Sequence, residues 1–368
     1  MRFPLIVRMI LMLLVVPVLG APPAADAASF KITIKDKDSG EEISFESGNK
    51  AFSEKDYFTA FRHWSLLVNN GDQSSYNGLA TLFEHGLGVE QNFVVAALWY
   101  KKSAEIGDAR SQAKLGTFAY HGWGMPQDYE EAKFWLEIAA GKGDAIGQKY
   151  LGMMYLNGQG VAKSEAKAVH LMRQVANKGD AEAEYNLGVI LSRQLSDFID
   201  LEEAVIWFRK AADKGFFLAQ TGLGRMYEKG LGISQNTSKA IDWYRLAAKQ
   251  GYAEGQNALG AAILNLNATT GDLKEAQHWI EAAAQQSHVK AWRNMGLIFI
   301  NGVGVSVDMV KGRAWLLLAA SSGEEEAKKL LEEIAPKLTP PQIDKSLRKF
   351  ELCRASKLKE CPYFSSTG

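Results

Sequence analysis

The chain has 368 residues, in which 42 Lys and Arg are balanced by 42 Asp and Glu, with 47% hydrophobic and 23% charged residues. This balance excludes the basic excess by which nucleic-acid binders neutralise phosphates, and the apolar share excludes an intrinsically disordered chain. At the N-terminus, Arg2 and Arg8 lead into an apolar run from Met9 to Leu19 and then the small-residue site Ala25-Asp26-Ala27. That order is the pattern of a secretory signal peptide over residues 1–27, cleaved near Ala27, and it predicts a periplasmic or secreted protein. The run is too short for a membrane span, which needs about 20 apolar residues, and no later stretch supplies one. Residues 28–46 then alternate Phe30, Ile32, Ile34, Ile43 and Phe45 with polar residues around Asp38-Ser39-Gly40, the pattern of a small β-hairpin.

Further along, the sequence becomes periodic. Leu115-Gly116, Leu151-Gly152, Leu187-Gly188, Leu223-Gly224, Leu259-Gly260 and Met295-Gly296 recur every 36 residues, with Leu79-Ala80 in frame before them. A second column reads Ala96, Ala132, Ala168, Ala204, Ala240, Ala276 and Gly312; a third reads Trp99, Trp135, Leu171, Trp207, Trp243, Trp279 and Trp315. Such a fixed period signals stacked supersecondary units. The Leu-Gly column sits in one helical pattern, and the Ala and Trp columns share a face of a second, so each unit is predicted to be a helical hairpin. Small residues let the two helices approach, and the Trp column is assigned to the core between them. Four residues before the Ala column stand Asn92, Asp128, Ser164, Asp200, Asn236, Asp272 and Asp308, all predicted N-caps. Asp128 with Glu131, Asp200 with Glu203 and Asp272 with Glu275 also resemble capping boxes. Gly-x-Gly pairs such as Gly122/Gly124 and Gly230/Gly232 mark the turn inside each hairpin, and a closing glycine, Gly107 to Gly323 with Ser287 as the departure, ends each unit. Units four and six carry Gln194/Ser196 and Leu266/Ala268 in place of the glycine pair, so their loops are expected to differ while the helices persist.

The run Ala113-x-Leu115-Gly116 through Gly122-x-Gly124, Asp128, Ala132, Trp135 and Ala139-Ala140 to Gly143 resembles the Sel1-like repeat, a relative of tetratricopeptide repeats. Leu223 to Gly251 is a second close copy. The resemblance covers seven repeats over residues 73–324. It implies an all-α fold, a right-handed α-solenoid of stacked helix-turn-helix repeats with N- and C-terminal caps. Residues 47–72, where Asp56, Ala60 and Gly71 keep the frame, read as a degenerate tetratricopeptide-like N-terminal cap. Residues 325–368 read as a C-terminal helical cap whose last helix starts at Thr339-Pro340-Pro341. The pair Cys353 and Cys361, in an exported chain, is most simply a disulfide.

For function, the resemblance implies a non-catalytic interaction scaffold of the cell envelope that binds another protein or a peptide. Exported relatives serve envelope signalling, exopolysaccharide machinery and host interaction. The sequence contains no Gly-x-Ser-x-Gly elbow, no His-Glu-x-x-His helix and no phosphate loop. His85 and His121 fall at one repeat position, so a stacking step of about 10 Å separates them, too far to share a metal. Neither a metal nor a cofactor is expected. Mapping the inward-facing positions of tetratricopeptide proteins onto this frame gives Tyr120, Ile146, Lys149, Met153, Leu156, Tyr185, Val189 and Arg225 as groove residues. They offer apolar and aromatic anchors bordered by two cations, suited to an extended or helical peptide with acidic flanks. The alternative is a β-lactam- or polysaccharide-binding role. The cysteine-rich branch of the family linked to β-lactams carries a cysteine pair in most repeats, whereas none of the seven repeats here contains one.

Overall fold

The computed structural model describes residues 33–35, 40, 42–193, 199–266 and 269–355. The predicted signal peptide, Phe30, Ile32, the loop residues Gln194 and Ser196, and Cys361 lie outside them. The described residues fall into two compact units, one running to Leu171 and one from Met172.

The first unit begins with a short antiparallel pair, β1 (Ile34–Lys35) and β2 (Glu42–Ile43), in which Ile34 faces Ile43 and Lys35 faces Glu42. Phe45, read from the sequence as a strand residue, is instead the first residue of α1 (Phe45–Ser53). Ser44 and Ser47 cap each other's backbone reciprocally and start the helix there. The next helix, α2 (Tyr57–Asn69), is capped by Asp56. Two complete repeats follow as hairpins, α3 (Tyr76–His85) with α4 (Phe93–Glu105) and α5 (Ala109–His121) with α6 (Tyr129–Gly141). The third repeat supplies α7 (Ala145–Asn157) and α8 (Glu165–Ala176), and the division between the units falls within α8, after Leu171.

The second unit stacks four hairpins: α9 (Ala181–Leu191) with α10 (Leu201–Asp213), α11 (Phe217–Lys229) with α12 (Thr237–Lys249), α13 (Ala253–Leu264) with α14 (Thr270–Gln285), and α15 (Val289–Asn301) with α16 (Met309–Ser321). It closes with α17 (Glu325–Ile334), a 3-10 turn at Ala335–Lys337, and α18 (Pro340–Ala355). Ile334, Leu338 and the fully buried Cys353 join Trp315 and Leu316 in one apolar cluster, which covers the open face of the last repeat.

The core column lies one residue beyond the expected one. Trp64, Tyr100, Leu136, Met172, Phe208, Tyr244, Ile280 and Leu316 recur at the same period, and none is more than 4% exposed. These side chains fill the space that the Leu-Gly column leaves open. A Cβ on Gly116 would sit 2.7 Å from Leu136 Cγ, and one on Gly296 2.7 Å from Leu316 Cδ2. The Trp column corrects the sequence reading in part. Trp99, Trp207 and Trp315 are buried, but Trp135, Trp243 and Trp279 are only half-buried at the edge of the hairpin. There an indole finds polar company: Trp279 Nε1 donates to Glu275, as Trp207 Nε1 does to Glu203. The Ala column is fully buried throughout, as close helix approach requires.

Six of the seven expected N-caps begin the second helices. Asn92, Asp128, Asp200, Asn236 and Asp308 accept the backbone N–H two or three residues on, and Ser164 Oγ accepts from Lys167. Asp272 does not. In repeat six, which lacks the glycine turn, α14 starts a turn earlier at Thr269, and Asp272 becomes the reciprocal partner of the Thr269 cap. The second glycine of each Gly-x-Gly turn has a further task. A Cβ on Gly124 would strike the backbone of Phe93 and Val94, and one on Gly232 the backbone of Leu201 and Glu202. Each of these turns rests on the first turn of the second helix in the preceding repeat. Repeats are tied again at their other end, where Lys142 Nζ donates to the Gly107 carbonyl (2.7 Å), Lys214 Nζ to Gly179 (2.9 Å) and Gln250 Nε2 to Gly215 (3.1 Å).

Candidate functional site

The first helices carry the predicted groove residues, and the structure distributes them unevenly. In the first unit, Tyr120 is buried (8% exposed), its hydroxyl donating to Gln159 Oε1 at 2.7 Å and its ring packed edge-on against Tyr129 and Tyr150. It is a packing residue between repeats two and three rather than a free groove contact. Ile146, Lys149, Met153 and Leu156 lie half-buried along α7.

In the second unit, Tyr185, Val189 and Arg225 come together in one cleft of about 330 Å³, a size within the range of ligand sites. The first helices of repeats four and five and the start of α13 form its walls. Phe208 and Met226 make the apolar floor, and Arg193, Arg225, Tyr252 and Glu254 supply polar groups. Phe208 can reach the cleft because its ring is flanked by Gly188 and Gly222, where any side chain would start within about 3.0 Å of it. Burial pushes the hydroxyls of Tyr185 and Tyr252 above the usual phenol range, and like any phenol at neutral pH both are hydrogen-bond donors.

Arg225 donates to Glu254 Oε1 at 2.9 Å, and Glu254 Oε2 accepts from His288 Nε2 at 2.7 Å. His288 Nδ1 accepts the Ala291 backbone N–H (3.2 Å), which places the imidazole proton on Nε2. The hydrogen bond from His288, with the charges of Lys290 and Arg225, holds the Glu254 carboxyl below its usual range against the opposing effect of burial. Arg193 has no ion pair among the described residues, and it is exposed at the end of α9.

The reading from sequence missed Arg193, Tyr252 and Glu254, although a signal for this region was present. The first helices of repeats two, three and four begin at Asp108, Asp144 and Asp180, each accepting the N–H three residues on. At repeats five and six the same column reads Phe216 and Tyr252, and neither side chain makes a cap bond. An aromatic strip results: Tyr185 packs against Phe216 (5.5 Å between ring centroids), Phe216 against Phe217 (5.8 Å), and Phe217 against Tyr252 (4.8 Å). Losing a side-chain cap costs about 1 kcal/mol, so helix formation alone does not account for these two aromatics.

Among the described residues, no group of three or more His, Cys, Asp or Glu side chains is placed to hold a metal ion. None of their helices is long and apolar enough to cross a membrane.

Comparison with known proteins agrees with the repeat frame. The Sel1 repeat profile matches at residues 73–108, 109–144, 145–180, 181–216, 218–252, 253–288 and 290–324. Among solved structures, the chain is similar to a protective antigen of uropathogenic Escherichia coli strains displaying an SLR fold. The two share 30% identity with a TM-score of 0.77, over 85% of this chain and 70% of that one. It is also similar to a Sel1 repeat protein from Oxalobacter formigenes, at 28% identity and a TM-score of 0.59, over 65% of this chain and 96% of that one. No protein of curated function matches. Seven consecutive matches, each falling on one of the helical hairpins described above, show that the chain belongs to the Sel1 repeat family.

Proposed function

We propose that the chain is a non-catalytic adaptor of the cell envelope that holds a segment of another protein in the cleft of repeats four to six. Sel1 repeat proteins generally mediate protein–protein interaction and are generally non-catalytic. The observation that carries the reading is the meeting of Tyr185, Val189 and Arg225 in one cleft with an apolar floor and a cationic rim. Periplasmic or secreted placement is supported by the signal-peptide pattern of residues 1–27.

The test is a crosslinking pull-down from the envelope fraction, comparing wild type with a Tyr185→Ala, Arg225→Ala variant of unchanged helicity. A protein captured by wild type and lost by the variant is the expected result. Equal capture by both would remove the cleft from the account, and retention of a glycan alone would replace the protein partner with a polysaccharide.

A further inference from the structure

The charge pattern around the cleft departs from that of repeats two to four in two independent ways. Repeats two to four each place an aspartate at the start of the first helix, at Asp108, Asp144 and Asp180, and repeats five and six replace it with Phe216 and Tyr252. Two negative charges are thereby absent beside the cleft. Positive charge is also left over. The one carboxylate in the lining, Glu254, is shared between Arg225 and His288, while Arg193 makes no ion pair among the described residues. In a chain whose charges otherwise cancel, this is a local cationic site with an apolar floor.

From these features we infer that the cleft selects an acidic protein segment. One aromatic or aliphatic side chain enters over Phe208 between Tyr185 and Met226, and an Asp or Glu carboxylate close to it in sequence seats on Arg193 and Arg225. The cleft's volume of about 330 Å³ suits one large side chain with its flanking backbone rather than a whole helix. Arg225 exchanges part of its bond to Glu254 for the incoming carboxylate, and Glu254 keeps His288 as a partner. The phenol hydroxyls of Tyr185 and Tyr252 donate to the segment's carbonyl or carboxylate oxygens. The inference rests on the docking reading above and adds the chemistry of the docked segment.

The test is selection of twelve-residue peptides from a random phage library on the full chain, with Val189→Trp, which fills the cleft, as counter-selection. Enriched sequences are then measured by fluorescence anisotropy. The expected sequences carry Asp or Glu within a few residues of an aromatic or aliphatic anchor. Their affinity falls about tenfold with Arg193→Glu, the scale of one lost charge-assisted contact, and weakens further as salt rises from about 50 to 300 mM. Arg193 has no ion pair to break among the described residues, so its substitution is expected to leave the fold intact, with circular dichroism as the control. Peptides that need the open cleft yet lack acidic residues, or that ignore Arg193→Glu, would overturn the acidic selection and leave the docking reading standing. Enriched peptides that bind Val189→Trp equally well, or no enrichment at all, would overturn both.

Discussion

Two glycines of the second unit share a backbone conformation but not their surroundings, and so separate backbone strain from contact between repeats. Gly232 ends the Gly-x-Gly turn after α11 at φ +62°, with its missing Cβ aimed at the Leu201 carbonyl and the Glu202 amide on the first turn of α10. Gly251 lies between α12 and α13 at φ +84°, with nothing within 4 Å of where a Cβ would stand. Alanine at either position takes the left-handed penalty of about 1–2 kcal/mol, partly offset by about 0.4–1 kcal/mol from the stiffer unfolded chain. Gly251→Ala should therefore cost about 1 kcal/mol. Gly232→Ala adds an overlap with backbone atoms, which cannot swing aside as a long side chain can. Moving the turn off α10 adds about 1–3 kcal/mol, the usual scale of overpacking, for a total near 2–4 kcal/mol. Urea unfolding followed by far-ultraviolet circular dichroism measures the difference. Hydrogen exchange locates it, because a repeat array loses stability locally. Equal losses for the two variants, or faster exchange remote from the α10–α11 boundary in Gly232→Ala, would refute the reasoning.

Four further outcomes follow from particular residues. Leu136→Ala, at a fully buried position facing Gly116, should cost about 3–5 kcal/mol and more than Trp135→Ala; the reverse order of urea midpoints would contradict the placement of the core column. Ser287→Gly should raise the melting temperature by relieving about 0.5–1 kcal/mol of strain, since Ser287 holds φ +63° where the other repeats place glycine; an unchanged or lower midpoint would count against it. Glu184 is 2% exposed, with Oε1 on Lys214 and Oε2 without a hydrogen-bond partner, whereas Gln220 in the same column donates to the carbonyl eight residues back. Glu184→Gln should therefore stabilise by about 1 kcal/mol through a bond to the Ala176 carbonyl, and a loss in thermal melts would show that the ion pair outweighs it. Glu254 titrates below its usual 4.5 when folded, so its contribution is complete above that pH and is lost as pH falls through the lowered value. The acid limb of stability against pH should flatten in Glu254→Gln, and a limb identical to wild type would exclude Glu254 as a source.

The array was legible because every hairpin solves the same packing problem and so repeats the same residues. Alanine recurs where helices touch, and Gly recurs where φ is positive, Lys55 and Ser287 excepted, or where a preceding backbone lies close. N-caps were readable because a cap is a contact across three residues, and Asp272 was misassigned where a missing glycine pair let Thr269 begin the helix first. The core column lies one residue beyond the tryptophans because an indole, with an N–H to satisfy, can sit at the hairpin's polar edge, as Trp279 does beside Glu275. The face of a helix that turns inward is decided by the opposing Gly116 or Gly224, not by side-chain size. Tyr185, Val189 and Arg225 could be placed on first helices from the period alone. Arg193, Tyr252 and Glu254 could not, because their roles depend on neighbours in adjacent repeats. In the sequence itself the cleft is marked by aromatic residues, Phe216 and Tyr252, in a column that reads Asp at repeats two to four and His288 at repeat seven.

The central claim, that partners dock on first helices at repeats four to six, is tested most directly by hydrogen–deuterium exchange with and without the captured partner. The account predicts added protection in Ala181–Leu191 and Phe217–Lys229 and little change in the second helices Leu201–Asp213 and Thr237–Lys249. Protection confined to those second helices, or an unchanged pattern across all four in a saturated complex, would contradict it.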